Sequence, residues 1–321
     1  MDTGSHLLFG ATLAGLSMLH PDVAAGSPAL FHAILTAALV GSHAPDLDTV
    51  TRLRGYSTYL NLHRGVTHSL PALLIWPFVV GLPIAWMFGV WEQMGWVLAT
   101  AGAAVCLHVL LDWLNAYGVQ CFRPFSRKWQ HLDVLSLFEP FLFLIHAAGL
   151  VGWLLYGGNP GQVMLLVYGI SSVYVAIRIW QHARVLGLVR RELDLTEGCQ
   201  AIPGWNWLRW QFVAETGECF YTGYVTGSRL HIQNVYSKKP SDPLVEASKA
   251  ADGVRAFLQF AQQIHVSCAE EHEGYVVRWR DVRFWHGNRL PFGVDVLLNR
   301  ELQVTGYSLG WKKKAWHPPF V

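Results

Sequence analysis

The sequence predicts a mainly α protein: a polytopic helical membrane domain followed by a small β-rich or α+β cytoplasmic domain. Three observations carry that prediction. Charged residues make up 14% of the 321 residues and hydrophobic residues 52%, with a mean hydropathy of +0.26; a typical soluble domain carries about 25% charge. The charge is unevenly spread: residues 1–181 hold seven Lys/Arg and eight Asp/Glu, against seventeen and fourteen in 182–321. Long apolar stretches all fall in the first part. This composition excludes a disordered chain and weighs against a wholly soluble enzyme. A net charge of +2 argues against nucleic acid as the main partner.

Taken in order, 7–19 and 29–42 are short apolar segments with polar ends, either spans or interfacial helices. Residues 70–91 are 22 residues without a charge, enough for a hydrocarbon core that needs about 20. Residues 96–111 follow, then 140–157 and 161–177, separated by the turn GGNPG. Four spans are expected, six if the first two cross. In a six-span arrangement all seven Lys/Arg of this part lie on one side, which the positive-inside rule places in the cytoplasm together with both termini. The domains are therefore expected at 1–181 (membrane), 182–208 (linker helix) and 209–321 (cytoplasmic). In the last, strands are expected in FVAETGECFYTGYV, SRLHIQNVY, YVVRWRDVRFWH and VDVLLNRELQVTGYSL, with one helix over 243–264. Lys312-Lys313-Lys314 beside Trp311 and Trp316 either meets anionic headgroups or is a solvated end. Five cysteines without a CxxC spacing form neither a disulfide framework nor a zinc ribbon, and fit a reducing compartment.

Polar residues are rare in the first part, so their placement is informative. In Gly41-Ser42-His43-Ala44-Pro45-Asp46-Leu47-Asp48, a proline stops a helix and two carboxylates follow at i and i+2. An extended chain would point those carboxylates apart, so the chain must turn to bring both inward. His63 and His68 precede the long apolar stretch, with Ser69 placed to cap it. His108 and Asp112 stand at i and i+4 and share a helix face, which Asn115 continues as an orienting amide. His6 opens the first apolar segment and Glu139-Pro140 the fifth; Glu139 either joins the same constellation or complements a helix dipole. Imidazole and carboxylate without thiolate suit zinc first, with manganese or iron as alternatives. So many donors exceed one tetrahedral site, and two or three divalent ions are expected. Arg64 is placed to neutralise an anionic substrate group.

The motifs SHLLFG, GSHAPDLD, HRGVTHS and HVLLDWLNAYG, in this order, resemble the YdjM-type family of membrane-bound metal-dependent hydrolases over roughly residues 1–180. More distantly, the motif order is similar to that of zinc-dependent phospholipase C. The resemblance matches His108 and Asp112 to the helix pair of metal ligands, Asp46 or Asp48 to the upstream carboxylate, His63 or His68 to the upstream imidazole, His6 to an early histidine and Glu139 to a late acidic position. All eight are expected metal ligands, and hydrolysis of a phosphate ester or lipid-type substrate is implied at the cytoplasmic face of a bacterial inner membrane. Membrane lipids are then the expected partners. The alternatives are an ion or proton transporter, favoured if the ionisable groups step across the bilayer, and a scaffold whose metal site is structural.

Overall fold

The computed structural model describes residues 1–204, 206–238 and 242–312. Two compact units emerge: Met1–Thr49 with His63–Trp180, and Val50–Leu62 with the chain from Gln181 onward.

The first unit opens with α1 (Thr3–Ser17), α2 (Pro21–Ala24) and α3 (Pro28–Gly41). Asp2 caps α1 by accepting from the Ser5 N–H, and Ser27 caps α3 by accepting from the Leu30 N–H. Pro21 and Pro28 occupy first-turn positions, where the missing N–H costs nothing. Ala44–Arg54 is a 3-10 helix, not an extended loop, and it is followed by α4 (Tyr56–Leu62). The tight turn brings both Asp46 and Asp48 inward, and both are buried. Next come α5 (Leu70–Met87), α6 (Met94–Trp113), α7 (Pro140–Tyr156) and α8 (Pro160–Glu192).

Helices α3, α5 and α6 meet through small side chains. Ala33, Ala37 and Ala38 of α3, Ala85 of α5 and Ala101 and Ala104 of α6 are all buried. A Cβ on Gly41 would stand 2.9 Å from the Ala101 carbonyl oxygen. Glycine thus permits the close approach that carries the end of α3 onto α6. Such small-residue contacts are how helices pack where no hydrophobic force separates protein from lipid.

Among the described residues, three helices are long and apolar enough to cross a membrane: Leu70–Met87, Trp91–Trp113 and Pro160–Glu192. The expected span at 140–157 forms α7, a shorter apolar helix of 17 residues, and α3 is another of 14. Helix α5 exposes Leu74, Ile75, Phe78 and Trp86, an apolar face that suits lipid and not water.

The linker expected at 182–208 is differently built. Helix α8 runs unbroken through 181 to Glu192, and the remainder already contains a strand, β1 (Cys199–Pro203). With β2 (Arg209–Glu215), β3 (Cys219–Thr226) and β4 (Arg229–Ser237) it forms an antiparallel meander. A β-bulge falls at Thr222/Gly223. A Cβ on Gly223 would lie 2.0 Å from the His231 carbonyl oxygen, so the irregular pairing requires glycine there.

The helix expected over 243–264 is two helices, α9 (Pro243–Ser248) and α10 (Asp252–Phe260). Ala251 between them has extended backbone, with ψ 132°. The break lets Trp279 donate to the Ser248 hydroxyl (3.0 Å) while Gly253 lies against the Tyr307 ring. A second antiparallel meander follows: β5 (Ile264–Glu271), β6 (Gly274–Asp281), β7 (Phe292–Leu298) and β8 (Val304–Trp311). Both α9 and α10 pack on this sheet, and α4 packs on α10. Lys313, Lys314 and Trp316 lie outside the described residues; Lys312 bonds Ser308. None of the five cysteines is in a disulfide.

Candidate metal centre

The 3-10 helix at 44–54, the 3-10 turn Val66–His68 before α5, and the last turn of α6 converge in the first unit. They bring together Asp46, His68, His108 and Asp112, all buried, with one ligand atom of each within 4.8 Å of every other.

The distances have a specific meaning. His68 Nε2 and His108 Nε2 are 3.2 Å apart. His68 Nε2 lies 3.6 Å from Asp46 Oδ1 and 3.6 Å from Asp112 Oδ2. His108 Nε2 lies 3.6 Å and 3.5 Å from the same two oxygens. With metal–ligand distances near 2.0–2.1 Å, the edge of a tetrahedron is about 3.3–3.4 Å. Five measured edges therefore match the donor spacing of a four-coordinate ion. Among the described residues, Asp46 Oδ1 and Asp112 Oδ2 have no hydrogen-bond partner, although bare buried carboxylate oxygens are costly. The donor set fits a divalent cation.

Outer contacts aim these donors. His108 Nδ1 bonds the Ser42 carbonyl oxygen at 2.7 Å, so Nδ1 carries the proton and Nε2 presents its lone pair. This depends on the close approach of α3 to α6. His68 Nδ1 lies 3.0 Å from Thr67 Oγ1, which donates to Asp48 Oδ2. Trp76 Nε1 holds the Thr67 carbonyl at 3.0 Å. Asp112 Oδ1, turned away from the imidazoles, accepts from Arg64 Nη2 at 2.9 Å and Asn115 Nδ2 at 3.3 Å. The Met1 α-amino group also pairs with it.

A second group shares Asp46: Asp46, Asp48 and His63. Asp48 Oδ1 bonds His63 Nδ1 at 2.6 Å, and Oδ2 accepts from the Arg64 N–H at 3.0 Å. Its imidazole is the more exposed: the His63 side chain is 16% accessible, whereas His68 and His108 show 0%. The inner imidazoles are sealed, whereas the outer one is partly exposed.

Each remaining residue singled out in the sequence has a definite place. His6 stacks on His108 with ring centroids 3.8 Å apart, its Nε2 3.4 Å from Asp112 Oδ1. It belongs to neither group of donors. The Arg64 guanidinium bridges Asp112 to Asn115 Oδ1 (3.3 Å) and lies over the Tyr117 ring. Asn115 also accepts from the Tyr117 and Gly118 N–H groups. The structure does not bring Glu139 to the others: its carboxylate bonds Ser136 and the Tyr174 hydroxyl. Ser69 stands at the N-cap of α5, but its hydroxyl donates back to the Val66 carbonyl. Sequence reasoning missed Thr67 and the Ser42 carbonyl. Both sit beside motif residues, which is the signal that would have found them.

Comparison with known proteins covers both units. The YdjM inner membrane protein family matches residues 1–185, and the YfhP C-terminal alpha/beta plait domain matches 243–316. The uncharacterized protein YfhP of Bacillus subtilis (strain 168) is 33% identical over 320 residues, covering 97% of this chain and 95% of that protein. No solved structure matches.

Proposed function

The chain belongs to the YdjM inner membrane protein family, and from that premise we propose that it is a membrane-embedded metal-dependent hydrolase acting on a phosphate ester. The observation that carries this reading is the pair of bare buried carboxylate oxygens facing two imidazole nitrogens at tetrahedral spacing. Asp46, His68, His108 and Asp112 hold the inner ion. Asp46, Asp48 and His63 would supply three donors to an outer ion, the number of protein ligands in catalytic centres. Zinc is the first choice for such a donor set, then manganese or iron. When bound, the ions supply Lewis acidity, making water a better nucleophile near neutral pH and polarising a phosphoryl oxygen.

The protein's own contribution is orientation. Arg64 and Asn115 fix Asp112 so that Oδ2 faces the centre. Thr67 and the Ser42 carbonyl fix the two imidazoles. His63 stands on the more exposed side, where substrate enters, and Arg64 Nε, without a partner, is left to meet an anionic oxygen. Basic residues on the loops around the centre support, by the positive-inside rule, a position at the cytoplasmic face together with both termini.

Elemental analysis of purified protein should find at least one divalent ion per chain. Phosphoester turnover should vanish with chelator and return with the metal. The double variant His108→Ala/Asp112→Ala should lose both metal and turnover while remaining monodisperse; unchanged metal content would refute the reading. A second reading has one observation in its favour: four protein donors close the inner tetrahedron, as in structural sites. Stoichiometric metal with no turnover on any phosphoester or lipid ester would select it.

A further inference from the structure

A closed loop beside the centre has a composition that the metal chemistry does not use. Residues 119–130 leave and return through a pair of backbone hydrogen bonds, Val119 N–H to Gln130 O and Gln130 N–H to Val119 O, both 2.9 Å. Inside, the Ser126 N–H bonds the Phe122 carbonyl (3.0 Å), and Gln120 Nε2 bonds the Arg127 carbonyl (2.8 Å). The loop is ordered before anything binds. Its base is tied to the site, because the Gln120 N–H bonds the Arg64 carbonyl at 2.9 Å. It is also tied to the start of a candidate span, because the Leu70 N–H of α5 bonds the Cys121 carbonyl at 3.0 Å. The same loop follows the C-terminal end of α6, a second candidate span. Its backbone therefore sits level with two helix ends, at the depth of a membrane–water interface.

Two features of its surface call for a partner. Phe125 is 87% exposed and Phe122 41%, although large apolar side chains on a rigid loop favour burial. Interleaved with them are Arg123, Arg127 and Lys128. Among the described residues none of the three has a carboxylate within ion-pair distance. These are three of the seven cations in residues 1–181, gathered within six positions. Burial and the neighbouring Arg127 charge both push the Arg123 guanidinium below its ordinary value, so the cluster repels itself. An anion between these cations relieves that repulsion, and acyl chains cover the phenyl rings.

We propose that the loop 121–128 is a docking site for anionic phospholipid headgroups, with Phe122 and Phe125 inserted among the acyl chains and Arg123, Arg127 and Lys128 on the phosphate. Apolar anchors beside cations at the interface are the combination that selects an anionic lipid surface over a zwitterionic one. The loop docks such lipids whatever reaction the centre performs.

The test uses the full chain in neutral detergent, titrated with phosphatidylglycerol or phosphatidylcholine, with bound lipid counted by native mass spectrometry. Each cation near an anionic surface is worth roughly fivefold in affinity. Wild type should prefer phosphatidylglycerol, and Arg123→Gln/Arg127→Gln/Lys128→Gln should lose that preference by about tenfold or more. Phe122→Ser/Phe125→Ser should weaken both lipids alike. Metal content should equal wild type in both variants, which certifies folding and separates this result from any failure of the hydrolase reading. Equal binding of the two lipids by wild type, or unchanged preference in the triple variant, overturns the proposal. Preferential retention of polyglutamate over phosphatidylglycerol would overturn it in favour of an acidic protein partner.

Discussion

Both units bury ionised groups, and they do so in opposite ways. In the second unit, Asp281 and Arg283 close on each other. Arg283 Nε reaches both carboxylate oxygens (3.1 and 3.0 Å), Nη2 reaches Oδ2 at 2.6 Å, and the Arg283 N–H adds a fourth bond. The guanidinium lies over the Phe260 and Phe284 rings and donates to the Phe260 carbonyl. The charges cancel and the carboxylate is fully bonded. In the first unit, Asp46 and Asp112 each keep one oxygen bare in a sealed pocket. The first pattern locks a turn. The second has unmet valence pointed at one place. What separates this structural ion pair from the inner group of the first unit is therefore not burial or charge but whether the carboxylates are satisfied by the chain itself.

The sharpest break in that comparison is metal removal. A ligand at a thousandfold its Kd stabilises by about 4 kcal/mol. Exhaustive chelation, or His108→Ala/Asp112→Ala, should therefore lower the melting temperature of the detergent-solubilised protein by about 10 °C. Asp281→Ala should cost about 3 kcal/mol or more, because it strands a buried guanidinium, yet leave metal content unchanged. Calorimetry with parallel elemental analysis distinguishes the two. Thr67→Val removes the hydroxyl between His68 and Asp48; competition with a chromophoric chelator should show metal affinity reduced about 10- to 100-fold. Gly41→Ala forces α3 from α6 at a cost of about 1–3 kcal/mol. It should weaken metal binding by a smaller factor, through the displaced Ser42 carbonyl.

Much of the site is legible in the chain because its strongest element is local. His108 and Asp112 must share a face once α6 forms, and Pro45 must end α3 before Asp46. What separates Asp46 from Asp48 is not legible: one faces two imidazoles, the other is taken up by His63, Thr67 and the Arg64 N–H. That division depends on three segments meeting. Glu139 shows the same limit in reverse, since its spacing suits a ligand but Tyr174 and Ser136 claim its oxygens. The fold was legible where composition decides it, in the apolar helices and the strand-rich tail. Assignment of Val50–Leu62 to the second unit was not, because α4 owes its place to packing on α10, some 200 residues away.

Arg64 adopts a left-handed backbone, φ +58°, which costs a non-glycine residue about 1–3 kcal/mol. That conformation lets one residue address two carboxylates, its N–H on Asp48 and its guanidinium on Asp112. One residue thus touches both groups of donors, so under the proposed two-ion reading the two positions should be coupled. Binding isotherms for the wild-type chain should then be sigmoidal, and Arg64→Gly, which relaxes that backbone and severs one arm, should make them hyperbolic.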